Sequence, residues 1–127
     1  MFSRPRDLPV NMISGNDSME KDLKILLDIV HAARLIIRFT ENMTFEEFVD
    51  DERTQSAALY QILVIGEAVK RLSSEFRAQH PHIPWKLIAG MRDRLIHGYD
   101  VIDWVEVWNT VRRDIPDLLR EIEALLP

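Results

Sequence analysis

The stretch Asp17-Ser18-Met19-Glu20-Lys21-Asp22-Leu23-Lys24-Ile25-Leu26-Leu27-Asp28-Ile29-Val30-His31-Ala32-Ala33-Arg34-Leu35-Ile36-Ile37 sets the fold class. Leu23, Leu26, Leu27, Val30, Ala33 and Ile37 recur at spacings of three and four, which places them on one face of a helix. Ile25, Ile29, Ala32 and Ile36 form a second apolar stripe beside the first. A helix apolar over that much of its circumference needs cover on two sides. It either sits inside a bundle or adds to an interface between copies of the chain. Asp17, with Glu20 three residues later, has the form of an N-terminal cap and predicts the start of this helix. Upstream, residues 1–17 hold Pro5, Pro9 and Gly15 and show no sustained apolar period, so they read as a flexible tail preceding a domain over 18–127.

The same period continues downstream. Thr44-Phe45-Glu46-Glu47 is a capping-box pattern that opens a short helical turn, with Phe45 and Phe48 as its anchors. The acids Asp50-Asp51-Glu52 suit the start of the next helix, because negative charge is stabilised at a helix N-terminus. That helix is expected to run from Asp51 to Gln79 on the stripe Ala58, Ile62, Ile65, Val69, Leu72 and Phe76. Gly66 in its middle costs roughly 0.5–1 kcal/mol relative to alanine, which suggests that another segment comes close there. Glu67, flanked by Ile65, Ala68 and Val69, is either partly buried against an arginine from later in the chain or simply exposed. His80-Pro81-His82-Ile83-Pro84 ends the helix. Its two histidines read as a solvated loop rather than a metal site, since no third ligand has an identifiable spacing to them. Pro84 is placed to begin a further helical segment, with Trp85 pinning it to the core. A last helix starts at Asp103, paired with Glu106, and carries Trp104, Trp108, Val111, Ile115, Leu118, Ile122 and Leu125. Pro116 should kink or divide it. No segment alternates like a strand. The chain reads as an all-α bundle of four to five helices.

Composition narrows the function classes. A chain of 127 residues is long enough for one domain with a real core. It has no cysteine, which excludes disulfides, thiolate metal sites and thiol nucleophiles. The longest apolar runs fall short of a membrane span and the N-terminus has no apolar signal core, so no membrane association and a cytoplasmic location are expected. The net charge of −5 argues against a protein that coats nucleic acid. Yet residues 70–113 carry 8 Lys/Arg against 5 Asp/Glu, a local excess of positive charge that suits a compact phosphate-bearing site.

Within that region lies the chemically richest stretch, Ile83 to Asp100, and inside it the pattern Arg92-x-x-x-x-His97-x-Tyr99. A guanidinium is a planar, permanent cation matched to phosphate. Imidazole exchanges protons near neutral pH, and a phenol is a further donor and a point for covalent modification. Together they are a minimal kit for cleaving RNA without metal: histidine handles the proton and arginine stabilises charge on the pentavalent phosphorus. Geometry resists the simplest version. At roughly 100° per residue, Arg92 and His97 stand about 140° apart on a straight helix, while Tyr99 is nearly in line with Arg92. Either Gly98 ends the helix and redirects His97, or a second copy of the chain completes the site. The alternative is purely structural: Arg92 and Arg94 in ion pairs, His97 capping a helix end, Tyr99 a core aromatic.

The ordered set Ile65-Gly66-Glu67-Ala68, Ile83-Pro84-Trp85, Gly90-Met91-Arg92-Asp93, His97-Gly98-Tyr99, Val107-Trp108 and Ile115-Pro116 resembles the HepT-like branch of the HEPN superfamily over residues 18–127. The resemblance implies an HEPN-type helical bundle that dimerises and a metal-independent endoribonuclease that needs no cofactor, serving as the toxin of a type VII toxin–antitoxin pair. It implies Arg92 and His97 as the catalytic pair in a cleft between protomers; Glu67, Asp93 and Arg94 are the candidates beside them for a supporting role. Tyr99 matches the tyrosine that a partner minimal nucleotidyltransferase, the antitoxin, modifies with AMP. The implied substrate is RNA, in some members tRNA. The competing expectation is a non-catalytic helical dimer that binds such a nucleotidyltransferase or a nucleotide.

Overall fold

The computed structural model describes residues 10–98 and 100–127, with side chains from Asp17 onward. Three long rods make the bundle. Helix α1 (Val10–Thr40) packs along α3 (Glu52–Arg71) and against the C-terminal rod. That rod comprises α7 (Trp104–Asn109), a π-helical turn (Thr110–Asp114) and α8 (Ile115–Glu123), with helical backbone across both junctions. Short helices connect the rods: α2 (Phe45–Asp50), α4 (Ser74–Gln79), α5 (Trp85–Ala89) and α6 (Met91–Leu95). The all-α class expected from the apolar period is the one that forms.

The core follows the stripes. Ile25, Leu26, Ile29, Val30, Ala32, Ala33 and Ile36 of α1 are buried, so both of its apolar stripes are largely covered within one chain. Among the described side chains of α1, Met19, Leu23 and Leu27 form an exposed apolar row, and Phe39 is exposed near its end. On α3, Ala58, Ile62, Ile65, Val69 and Leu72 are buried, and the C-terminal rod contributes Val107, Val111, Ile115, Leu118 and Ile122. Phe48 of α2 is fully buried, its ring 5.1 Å from that of Trp108 and 6.0 Å from that of Trp104. This aromatic contact ties α2 to α7. The capping box at Thr44 and Glu47 forms as the sequence predicts, and Asp51 caps α3.

Three expectations change. Helix α1 begins at Val10, so Asp17 does not cap it, and Asp17–Glu20 lie inside the helix. Of the tail predicted over residues 1–17, residues 10–17 belong to this helix, and the first nine residues lie outside the described residues. The helix predicted over Asp51–Gln79 is broken at Leu72 and Ser73, both with extended backbone. Asp22, only 5% exposed on α1, causes the break: its carboxylate accepts the Ser73 N–H at 2.9 Å and the Ser73 hydroxyl at 2.7 Å. Ser73 in turn caps α4 by accepting the Phe76 N–H. At Pro116 the last helix is divided into α7, the π turn and α8, with Pro116 in the first turn of α8. The π turn just upstream, in which Ile115 N–H bonds to Thr110 C=O, takes up the register change that a proline without an N–H requires.

Candidate active site

The stretch that carries the candidate residues is built from short elements with few anchors. Trp85, 7% exposed, inserts into the core and donates its indole N–H to the His80 carbonyl at 2.9 Å, which fixes the His80–Pro84 turn. Helix α5 then lies on α3 at Gly66. A Cβ on Gly66 would stand 3.3 Å from the Ile88 carbonyl and 3.7 Å from that of Ala89. The missing side chain lets the two helices approach this closely, which is the reason for a costly mid-helix glycine.

Gly90 turns the chain into α6. Met91 and Leu95, four residues apart, are buried against the core. They direct the opposite face, Arg92, Asp93 and Arg94, into solvent. Ile96 then adopts an extended conformation, so the helix ends before His97. An antiparallel bridge pairs Ile96 with Ile102. The His97 N–H donates to Val101 C=O at 2.7 Å, and the Asp103 N–H donates to Leu95 C=O at 2.8 Å. Gly98 has φ +79° with open space around it, so the loop needs its backbone freedom rather than its small size. Of the two routes that could reconcile Arg92 with His97, the chain takes a version of the first: it leaves the helix at Ile96, two residues before Gly98.

The side chains stand as follows. Arg92 is 61% exposed and its guanidinium lies 4.0 Å from the Asp93 carboxylate. His97 is 57% exposed, with Nε2 4.0 Å from Oδ2 of Asp103. Among the described residues, no hydrogen bond or ion pair joins Arg92 to His97, and Arg94 is exposed without an ion-pair partner. Tyr99 lies outside the described residues. Glu67 does not meet an arginine of this stretch. It is exposed on α3 and pairs with Lys70 at 2.9 Å, one turn along the same helix. Its neighbours Ile65, Ala68 and Val69 face the core while its own position turns outward, so of the two alternatives for Glu67 the exposed one holds.

What the arrangement offers is an accessible cation and an accessible imidazole on one bent segment, held from below by Trp85, Ile88, Met91 and Leu95. The larger concavities lie elsewhere. One of about 840 Å³ is lined by Glu47, Asp50, Asp51 and Glu52 among others, an acidic wall that would repel phosphate. Another of about 610 Å³ lies between α1, α4 and the C-terminus. No group of three or more His, Asp or Glu residues among the described residues is arranged to hold a metal ion. His82 instead faces Glu121 at 3.3 Å and the His80 ring packs on Phe76. Among the described residues, no helix is long and apolar enough to cross a membrane. Sequence reading assigned Asp103 to capping alone. Its approach to His97 depends on the bridge that folds residue 103 back beside residue 95, and the only local signs are Gly98 and the short spacing.

Comparison with known proteins places the chain among nucleases. The family model described as "Ribonuclease HepT-like" matches residues 29–125. A protein of Thermococcus cleftensis named "Probable ribonuclease HepT" is 44% identical over 100 residues, covering 79% of this chain and 91% of that one. A Methanocaldococcus jannaschii protein bearing the name "Putative RNase" is 42% identical over 108 residues, 84% of this chain and 89% of its own length. A third, from Caldanaerobacter subterraneus and named in the same way, is 39% identical over 98 residues, 77% of this chain and 88% of its own. No solved structure matches the chain.

Proposed function

The chain belongs to the HepT-like ribonuclease family, and from that premise we propose that it is a metal-independent endoribonuclease whose reacting groups are Arg92 and His97. The observation that carries this reading is the exposure of both side chains on one short segment whose apolar residues are fixed in the core. In the proposed reaction the imidazole of His97 removes the ribose 2′-hydroxyl proton, and the 2′-oxygen attacks the adjacent phosphorus. The bond to the 5′-oxygen breaks and that oxygen takes a proton, leaving a 2′,3′-cyclic phosphate and a 5′-hydroxyl end. Arg92 stabilises the charge that develops on the phosphoryl oxygens.

Such a reaction uses both an acid and a base, and one protomer supplies a single histidine at this place. A homodimer that faces two of these segments would supply the second. The exposed row Met19, Leu23 and Leu27 gives α1 an apolar surface for such an association. We read the protein as the toxin of a toxin–antitoxin pair, acting on RNA in the cytoplasm and silenced when a minimal nucleotidyltransferase antitoxin transfers AMP to Tyr99. An anionic, bulky adduct two residues from His97 would compete for the charge of Arg92 and block access.

The deciding assay is RNA cleavage by the purified protein in EDTA, wild type beside His97→Ala. Cleavage by the wild type that is lost in the variant is expected; equal cleavage by both would sink the assignment. The second reading, a helical dimer that binds a nucleotidyltransferase or nucleotide without cutting RNA, takes its support from the lack of any Arg92–His97 contact within one chain. Growth arrest on expression of the protein alone favours the nuclease, and unimpaired growth favours the binding module.

A further inference from the structure

We propose that Asp103 is the positioning residue of the site, holding the Nε2 edge of His97 so that Nδ1 is the ring nitrogen presented to RNA. The inference rests on the reading of His97 as the proton-transfer group and names what orients it.

Three observations converge on Asp103. Its carboxylate is divided between two tasks: Oδ1 accepts the Glu106 N–H at 3.1 Å and caps α7, while Oδ2 lies 4.0 Å from Nε2 of His97. The backbone on both sides is fixed, with His97 N–H bonded to Val101 C=O and Asp103 N–H bonded to Leu95 C=O across the Ile96–Ile102 bridge. The cap bond at Oδ1 anchors one end of the carboxylate and leaves Oδ2 on the side of His97. A second aspartate cap in the same chain behaves differently. Both oxygens of Asp51 accept from Thr54, one from its N–H and one from its hydroxyl, so its carboxylate is engaged next to its own cap.

A carboxylate accepts hydrogen bonds and cannot donate them when ionised, so it favours the tautomer with the proton on Nε2. Nδ1 is then the unprotonated nitrogen and the one able to take the 2′-hydroxyl proton. The separation of 4.0 Å is long for a hydrogen bond. Catalytic contacts of this kind commonly tighten when substrate closes over the site. A base oriented by a third group is the general logic of nucleophile activation.

Asp103→Asn separates the two tasks. Asparagine caps a helix as well as aspartate does, with its carbonyl toward Glu106. Its amide then turns a donor toward Nε2, which favours the tautomer with the proton on Nδ1. Asp103→Ser keeps a cap and removes the partner altogether. Nitrogen-15 ring shifts of His97 should report the Nε2–H form in the wild type, the Nδ1–H form in Asp103→Asn, and a mixture in Asp103→Ser. In RNA cleavage, kcat should fall on the order of 10²- to 10⁴-fold for Asp103→Asn with KM changed less than about twofold, and both variants should melt close to the wild type. Unchanged His97 shifts and unchanged kcat in both variants would overturn the proposal. So would a loss of kcat that follows the loss of melting temperature, since that is the behaviour of a cap alone. If the wild type cuts no RNA, the nuclease reading fails, and the ring shifts still decide whether Asp103 orients His97.

Discussion

Helices α1 and α3 and the stretch from Pro84 to Asp103 are built on opposite terms. The first two are long, 31 and 20 residues, and each buries an apolar stripe along most of the bundle. The second consists of two five-residue helices, a glycine joint, one β-bridge and a loop. Long helices are stabilised mainly by packing of their apolar faces, so their solvent-exposed polar residues can be varied with little consequence. Five-residue helices have no stability of their own, and the site stretch keeps its shape through Trp85, Ile88, Met91 and Leu95 and through backbone bonds. That leaves Arg92 and His97 free to face solvent. With Arg92 and His97 as the proposed reacting groups, stability and chemistry fall to different parts of one small chain.

The sharpest way to break this division is a pair of truncations. Ile62→Ala removes a fully buried side chain of α3 and should cost about 2–5 kcal/mol, read from the denaturant midpoint. Arg92→Ala, at an exposed position, should change stability by no more than about 0.5 kcal/mol while abolishing RNA cleavage. A large stability loss from Arg92→Ala would mean that the site stretch helps to hold the bundle together.

A polar contact inside the long-helix region comes next. Asp22→Ala leaves the Ser73 N–H without its acceptor and frees the joint between α3 and α4, at a cost of about 1–3 kcal/mol. Amide exchange in α4 should quicken more than in α3. Uniform exchange across both helices would show that the joint is held by Leu72 and its packing instead.

Gly66 links the two regions and so has a mixed outcome. Gly66→Ala gains about 0.5–1 kcal/mol of helix propensity, but its Cβ presses on the Ile88 carbonyl at 3.3 Å. Helix α5 must move by a few tenths of an ångström and carry the site stretch with it. Net stability should change by less than about 1 kcal/mol, while cleavage falls several-fold. Full activity would show that the site tolerates a shift of its supporting helix.

How much of this was legible beforehand follows the same division. The stripes on α1, α3 and the last rod, the capping box at Thr44, the cap at Asp51 and the close approach at Gly66 depend on neighbours in sequence, and the chain spells them out. The break at Leu72 and Ser73 does not, because its cause is Asp22, 51 residues away. Leu72 and Phe76 keep helical spacing straight across it. The outward turn of Glu67 was obscured by apolar neighbours on either side. In the site stretch, the residue types Arg92 and His97 stood out, but their relation to each other depended on where α6 ended, and a five-residue helix leaves no period to read. Asp103 was legible as a cap. Its second oxygen was not, since only the folded loop shows where it points.

The smallest expected effect separates the two aspartate caps by pH. Hydrogen bonds from the Thr54 backbone N–H and then the Thr54 hydroxyl hold the Asp51 carboxyl below its ordinary value of 3.8. A carboxyl depressed in the folded state stabilises the fold at pH values above its unfolded value, and that contribution is lost as pH falls through the lowered folded value. Asp51→Asn keeps a capping oxygen and removes the titration. The wild type should therefore lose its advantage over Asp51→Asn only as pH falls below about 3.8, with a constant difference at higher pH. Thermal melts of both proteins across pH 2–7 measure this, on the order of one pH unit either side of the ordinary carboxylate range. A difference that changes between about pH 5 and 7 would point to a group other than a carboxylate, and would take from Asp51 the purely local role that its two bonds to Thr54 assign it.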